Sequence, residues 1–222
     1  EHDSCGVGFV VDIKGRKSHK IIENAITVLK NLLHRGACGC EENTGDGAGI
    51  LIQMPDRFLR NKCVDLGFDL PRLGYFGAGL VFLPRSMGDA EKCRRLFQAI
   101  IEEEGQHLCG WREVPTDHSP IGPSAIAAEP NIQQIFITRG ETITDDDAFE
   151  RKLYVIRKRI EHAIWSSDIA EKDYFYIPSL SHRTLIYKGM LIGSQIEQMF
   201  PDIVDPNFES ALALVHQRFS TN

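Results

Sequence analysis

Tyr75-Phe76-Gly77-Ala78-Gly79-Leu80-Val81-Phe82-Leu83 is apolar or glycine at every position. A run of this kind suits a β-strand buried on both faces. Such a strand needs covering layers, and helical patterns stand on either side of it in sequence. Asp89 to Glu104 carries Ala90, Cys93, Leu96, Phe97, Ile100 and Ile101 at helical spacing, with Ser86 and Asp89 at the cap and Gly105 at the stop. The pattern Phe149, Leu153, Ile156, Ile160 and Ile164 predicts a second helix, with Thr144 as its cap and three aspartates on the positive end of the helix dipole. A third spans Ser18 to Arg35, with apolar residues at 21, 22, 25, 26, 29, 32 and 33, and Gly36 ends it. Further strands are expected at Gly49–Met54, Gln133–Thr138, Thr184–Lys188 and Ala211–Arg218. Buried strands with helices between them imply sheets covered by helices, an α+β arrangement in one domain.

At the N-terminal end, Cys5–Ile13 alternates. Cys5, Val7, Phe9, Val11 and Ile13 share one face, and Gly6, Gly8, Val10 and Asp12 share the other. The two glycines there leave room for another backbone.

Composition sets the outer limits. The chain has 222 residues, a net charge of −6 and 42% hydrophobic residues, which is enough apolar material for a core. The acidic balance argues against a nucleic-acid partner, which calls for a basic face. No uncharged stretch approaches the ~18 apolar residues of a membrane span, so no membrane association is expected. Glu1-His2-Asp3-Ser4 lacks the basic start and apolar run of a signal peptide. Six cysteines form no dense framework, which points to free thiols in a reducing compartment, the cytoplasm. Both ends read as cut from a larger polypeptide.

Cys5 is the first residue with chemical potential. On a strand, a cysteine is ordinarily a small buried hydrophobe. Four residues precede it, however, and their removal would give it a free α-amine. An amine of pKa near ~8 beside a thiol of ~8.5 is a built-in general base. While Ser4–Cys5 remains a peptide bond, that nitrogen is an amide and cannot serve.

Other clusters have plain readings. His34-Arg35-Gly36 fits a helix C-terminus, where cationic side chains meet the last carbonyls. Thr44-Gly45-Asp46-Gly47-Ala48-Gly49 lacks the preceding strand and following helix of a dinucleotide site, and reads as a turn entering a strand. Cys38 and Cys40 with His34 fall short of a four-ligand zinc set, so no metal is expected. At His216-Gln217-Arg218-Phe219-Ser220-Thr221-Asn222, the arginine fork and the hydroxyls could hold a carboxylate or could be a solvated strand end.

Taken in order, Cys5-Gly-Val-Gly-Phe, His34-Arg-Gly-Ala, Thr44-Gly-Asp-Gly-Ala-Gly and His216-Gln-Arg-Phe-Ser-Thr-Asn resemble the glutamine amidotransferase domain that opens the large subunit of glutamate synthases. Gly110-Trp-Arg-Glu-Val-Pro, Glu129-Pro-Asn-Ile and Tyr176-Ile-Pro-Ser-Leu-Ser-His-Arg-Thr-Leu-Ile-Tyr-Lys-Gly-Met fit the same family. The resemblance implies a four-layer αββα N-terminal nucleophile hydrolase fold over 5–222, truncated at its C-terminal side, with residues 1–4 as a propeptide remnant. It makes Cys5 the nucleophile that releases ammonia from glutamine through a thioester. Arg35 and Gly36 line the active site, Arg218 holds the substrate α-carboxylate, and Phe219, Ser220 and Thr221 form the adjoining wall.

The same resemblance implies that ammonia passes to a synthase domain of the same polypeptide, where 2-oxoglutarate receives it. FMN and an iron–sulfur cluster belong to that remainder, and no cofactor is expected in this domain. Electrons would come through a small electron-transfer subunit or ferredoxin, and a plant or algal source would place the enzyme in a plastid. The family's oxyanion-hole Asn-Gly pair and its acidic site for the substrate amino group fall after Asn222. The 222 residues alone are therefore expected to hydrolyse glutamine weakly or not at all. Two alternatives stand beside this reading: an N-terminal cysteine acylase acting on another amide, and a non-catalytic module of the same fold. Glutamine hydrolysis needs the Arg218 fork for an α-carboxylate, whereas a lipophilic acyl group does not. Retention of Cys5, Arg35 and Arg218 together argues against decay.

Overall fold

A computed structural model describes residues 6–35 and 41–218, with the side chain of Arg35 also left out. In chain order the elements begin β1 (Gly6–Val11), α1 (His19–Asn31), β2 (Ala48–Gln53), α2 (Asp56–Asp65) and β3 (Phe76–Leu83). There follow α3 (Met87–Glu103), β4 (His107–Glu113), α4 (Pro123–Ala128), β5 (Asn131–Thr138) and α5 (Asp146–Trp165). Last come β6 (Thr184–Gly189), α6 (Ile196–Met199) and β7 (Leu212–Gln217). Helices and two separate sheets make the fold α+β, as the sequence implied. The chain divides into two compact units. One gathers the residues up to Phe58, Val114–Glu129 and those from Ile186 on; the other is Leu59–Glu113 with Pro130–Leu185.

In the second unit the sheet order is β3-β5-β4, antiparallel throughout. Its core joins Val81 and Leu83 of β3 and Ile135 and Ile137 of β5 to Phe97 of α3 and Leu153, Ile156 and Ile160 of α5. The predicted stripes of both helices are thus the buried ones, except that Leu96 of α3 is only partly buried. Ser86 caps α3 by accepting from the Asp89 N–H, and Gly105, at φ +70°, turns the chain out. The cap of α5 is Asp145, which accepts from the Ala148 N–H at 2.7 Å. Thr144 lies one residue outside. Strand β3 is buried at nearly every position, and backbone bridges Ala78↔Ser181 and Phe82↔Tyr176 add to its pairing with β5.

In the first unit the order is β1-β7-β2-β6, with β7 antiparallel to both β1 and β2. Helix α1 covers one face, burying Ile22, Ala25, Ile26 and Leu29. It ends at Asn31, and Leu33–Arg35 forms a single 3₁₀ turn. There His34 Nδ1 lies 3.0 Å from the Asn31 carbonyl, the contact expected of a histidine at a helix end. On β1 the glycine face lies toward α1. What approaches it is a side chain, not a backbone: a Cβ on Gly8 would stand 2.5 Å from Val28 Cγ1. The apolar face of β1 is exposed at Val7, Phe9 and Val11. No helix among the described residues is long and apolar enough to cross a membrane.

Candidate active site

Placing β7 between β1 and β2 brings distant motifs into register. Gln217 pairs with Gly6 on one side and with Ala48 on the other. The residue after Cys5 is therefore beside the residue before Arg218, and both are level with the start of the strand that follows the glycine-rich turn. Cys5, Gly36, Phe219, Ser220 and Thr221 lie outside the described residues, and Arg35 is described through its backbone only. Arg218 is the candidate whose side chain the structure places.

Arg218 follows β7 with a φ of +76°, the one non-glycine residue among those described to take a left-handed conformation. Such a backbone is costly for a side-chain-bearing residue and is held only when its surroundings over-determine it. Here they do. The Arg218 N–H donates to the Gly47 carbonyl at 2.6 Å. Its own carbonyl faces His216 Nδ1 at 3.3 Å, and because a carbonyl can only accept, that nitrogen carries the proton. The guanidinium lies beside Asp46, with Nε 3.6 Å from Oδ2.

His216 is largely enclosed. Burial holds its imidazole below the ordinary value; the bond to the Arg218 carbonyl opposes that shift and the charge of Lys188 reinforces it. Its ring occupies the space beside Gly49, where a Cβ would stand 2.5 Å from Nε2. Gln217 is fully buried, and its Nε2 and Oε1 have no hydrogen-bond partner among the described residues.

The turn facing Arg218 is held by close packing and side-chain hydrogen bonds. At Gly45 a Cβ would lie within 2.3–2.5 Å of the Leu191 and Ile192 backbone, so only glycine fits. Gln195, buried, donates from Nε2 to the carbonyls of Asn43 (2.9 Å) and Pro120 (2.6 Å), and accepts from the Ile192 N–H at 2.7 Å. Glu41 accepts from the Ser124 hydroxyl (2.6 Å), the Thr44 hydroxyl (2.7 Å) and the Ser124 N–H (3.1 Å). Those bonds, Ser124's first, hold its carboxyl below the usual range.

A profile of the class-II glutamine amidotransferases matches residues 5–222. The chain belongs to that family. It is 42% identical, over 222 residues, to the NADPH glutamate synthase large chain of Bacillus subtilis (strain 168), which covers all of this chain and 14% of the relative. The NADH glutamate synthase of Schizosaccharomyces pombe is 40% identical over 227 residues, all of this chain and 10% of the relative. The chloroplastic ferredoxin-dependent glutamate synthase 2 of Arabidopsis thaliana is 35% identical over 224 residues, again all of this chain and 13% of the relative. The chain thus spans between a tenth and a seventh of the length of these relatives.

Two residues that shape the surroundings of Arg218 carry no clear signal in the sequence. Asp46 sits in a motif read as a plain turn, and Gln195 joins three segments far apart in sequence. Asp46 was legible only as a carboxylate between two glycines. Gln195 gives no local signal.

Proposed function

We propose that this chain is the glutaminase part of a glutamate synthase, hydrolysing glutamine to glutamate and ammonia. The observation that carries the proposal is similarity to glutamate synthases along the whole chain, joined to a class-II amidotransferase match that begins at Cys5. Once the Ser4–Cys5 bond is cut, the freed α-amine takes the thiol proton and the thiolate attacks the carboxamide carbon of glutamine. The carbon–nitrogen bond breaks, ammonia leaves with a proton returned by the ammonium, and a glutamyl thioester remains. Water then cleaves the thioester, releasing glutamate and restoring the thiol. Arg218 holds the substrate α-carboxylate, Arg35 and Gly36 line the site, and Phe219, Ser220 and Thr221 wall it.

Ammonia then passes to a synthase domain of the same polypeptide and to 2-oxoglutarate. Electrons reach that domain from a small electron-transfer subunit or ferredoxin, in the cytoplasm or, in a plant or alga, the plastid. FMN and an iron–sulfur cluster would supply the redox chemistry there. The residues described here do not fit such a cluster. Cys63 and Cys93 are buried free thiols pushed up by burial to about 12 and about 11, and no group of three or more His, Cys, Asp or Glu side chains among the described residues could hold a metal.

In the full-length polypeptide, Cys5→Ala is expected to abolish glutamine-dependent glutamate synthesis and to leave ammonia-dependent synthesis in place. Retention of glutamine-dependent turnover by that variant would overturn the assignment.

A further inference from the structure

Arg218 carries a long side chain with many rotamers, and a carboxylate is gripped well only by a guanidinium already aimed at it. The structure contains a device for that aim. Asp46 and Gly47 both act on Arg218: Gly47 takes its backbone N–H at 2.6 Å, and Asp46 places a carboxylate oxygen 3.6 Å from its Nε. We propose that Asp46 is a positioning residue for glutamine recognition, orienting the Arg218 guanidinium toward the α-carboxylate of the substrate. The proposal rests on the reading of Arg218 as the carboxylate-binding residue.

Three features make Asp46 suited to the task. Its backbone belongs to a turn tied down at several points. Gly45 is wedged against Leu191 and Ile192, Gln195 ties Asn43 to Pro120, and Glu41 ties Thr44 to Ser124. A carboxylate mounted on a rigid support is a better orienting group than one on a free loop. Next, Asp46 stands at the Nε edge of the guanidinium. Arginine carries four more N–H donors, on Nη1 and Nη2, and a parallel two-bond grip on a carboxylate is built from such donors. Finally, both ends of Arg218 are constrained together, because His216 donates to its carbonyl while Gly47 receives its N–H.

The magnitude follows from exposure. The Asp46 and Arg218 side chains are 37% and 29% exposed, so water screens the pair and its Coulomb gain is small. Screening likewise limits the repulsion between Asp46 and an incoming carboxylate. The effect of Asp46 is therefore expected in geometry and in ground-state binding, appearing in KM and not in kcat.

The test uses the full-length polypeptide with processed Cys5, and reads KM and kcat for glutamine in Asp46→Ala, Asp46→Asn, Asp46→Glu and Arg218→Leu. We expect Asp46→Ala and Asp46→Asn to raise KM roughly three- to fivefold with kcat within about twofold. Asp46→Glu should recover part of the loss, and Arg218→Leu should have a larger effect than any of them. In an Arg218→Leu background, Asp46→Asn should lower kcat/KM no further, since its effect passes through that arginine.

Should Asp46→Ala fail to fold, the near-isosteric Asp46→Asn decides. If Arg218→Leu raises KM while the Asp46 variants leave it unchanged, or lower kcat alone, positioning by Asp46 is refuted and the Arg218 reading stands. An undiminished Asp46→Asn effect in the Arg218→Leu background also refutes it. An unchanged KM in Arg218→Leu removes the reading beneath the proposal, and the proposal with it.

Discussion

Strands β3 and β1 are both apolar and both carry glycines, yet β3 is buried along nearly its whole length while β1 exposes Val7 by 61% and Phe9 by 69%. Strand β3 has pairing on both edges, from β5 on one side and from the backbone at Tyr176 and Ser181 on the other, in the same unit whose core is filled from α3 and α5. Among the described residues, strand β1 is the edge of its sheet and packs against α1 on one face. The first arrangement commits its side chains to stability. The second commits the backbone to register: β1 brings the residue after Cys5 beside the residue before Arg218. One sheet thus encloses its side chains, and the other brings the two candidate motifs into register.

The contrast can be broken by mutation. The largest effect is expected from Leu153→Ala, which empties a fully buried position in the core of α5 and β3. A loss of about 2–5 kcal/mol in urea unfolding is expected for a cavity of this kind. A loss below about 1 kcal/mol would mean that this core is looser than its burial implies.

Next in size is a pH effect at His216. Burial lowers its folded-state pKa, so the neutral ring favours the folded state. Its contribution is complete above the ordinary imidazole value of about 6.5, and is lost as pH falls from there through the lowered folded-state value. Unfolding curves across that acid range should flatten in His216→Gln. An unchanged slope would show that the ring is not enclosed as described. The smallest effect belongs to Phe9→Ser in the 222-residue chain, expected to change stability by no more than about 0.5 kcal/mol because the ring is exposed. A cost above about 2 kcal/mol would show that this face is covered and would erase the contrast with β3.

Periodicity was enough to find α3, α5 and β3, because their apolar residues fall on one face or fill both. The cap of α5 slipped by one residue, since Thr144 and the aspartates after it are all good caps and only geometry chooses Asp145. Strand β4 was not read as a strand: its register shifts between Leu108 and Gly110, which disrupts the alternation that marks one. Helix α2 is too polar to announce itself. At the candidate site, Cys5 and Arg218 stand out in the sequence through chemistry and resemblance. The backbone clamp on Arg218 and the carboxylate of Asp46 were not, because they depend on a pairing between residues about 170 apart in sequence.

In the proposed reaction Cys5, freed at its amino group, is the nucleophile that attacks glutamine. Intact mass of the full-length polypeptide, before and after exposure to an electrophilic glutamine analogue, tests it most directly. The expected result is a chain beginning at Cys5 that gains one adduct, with the gain lost in Cys5→Ala and suppressed by glutamine. A processed chain that stays unmodified, or an adduct that persists in Cys5→Ala, would contradict it.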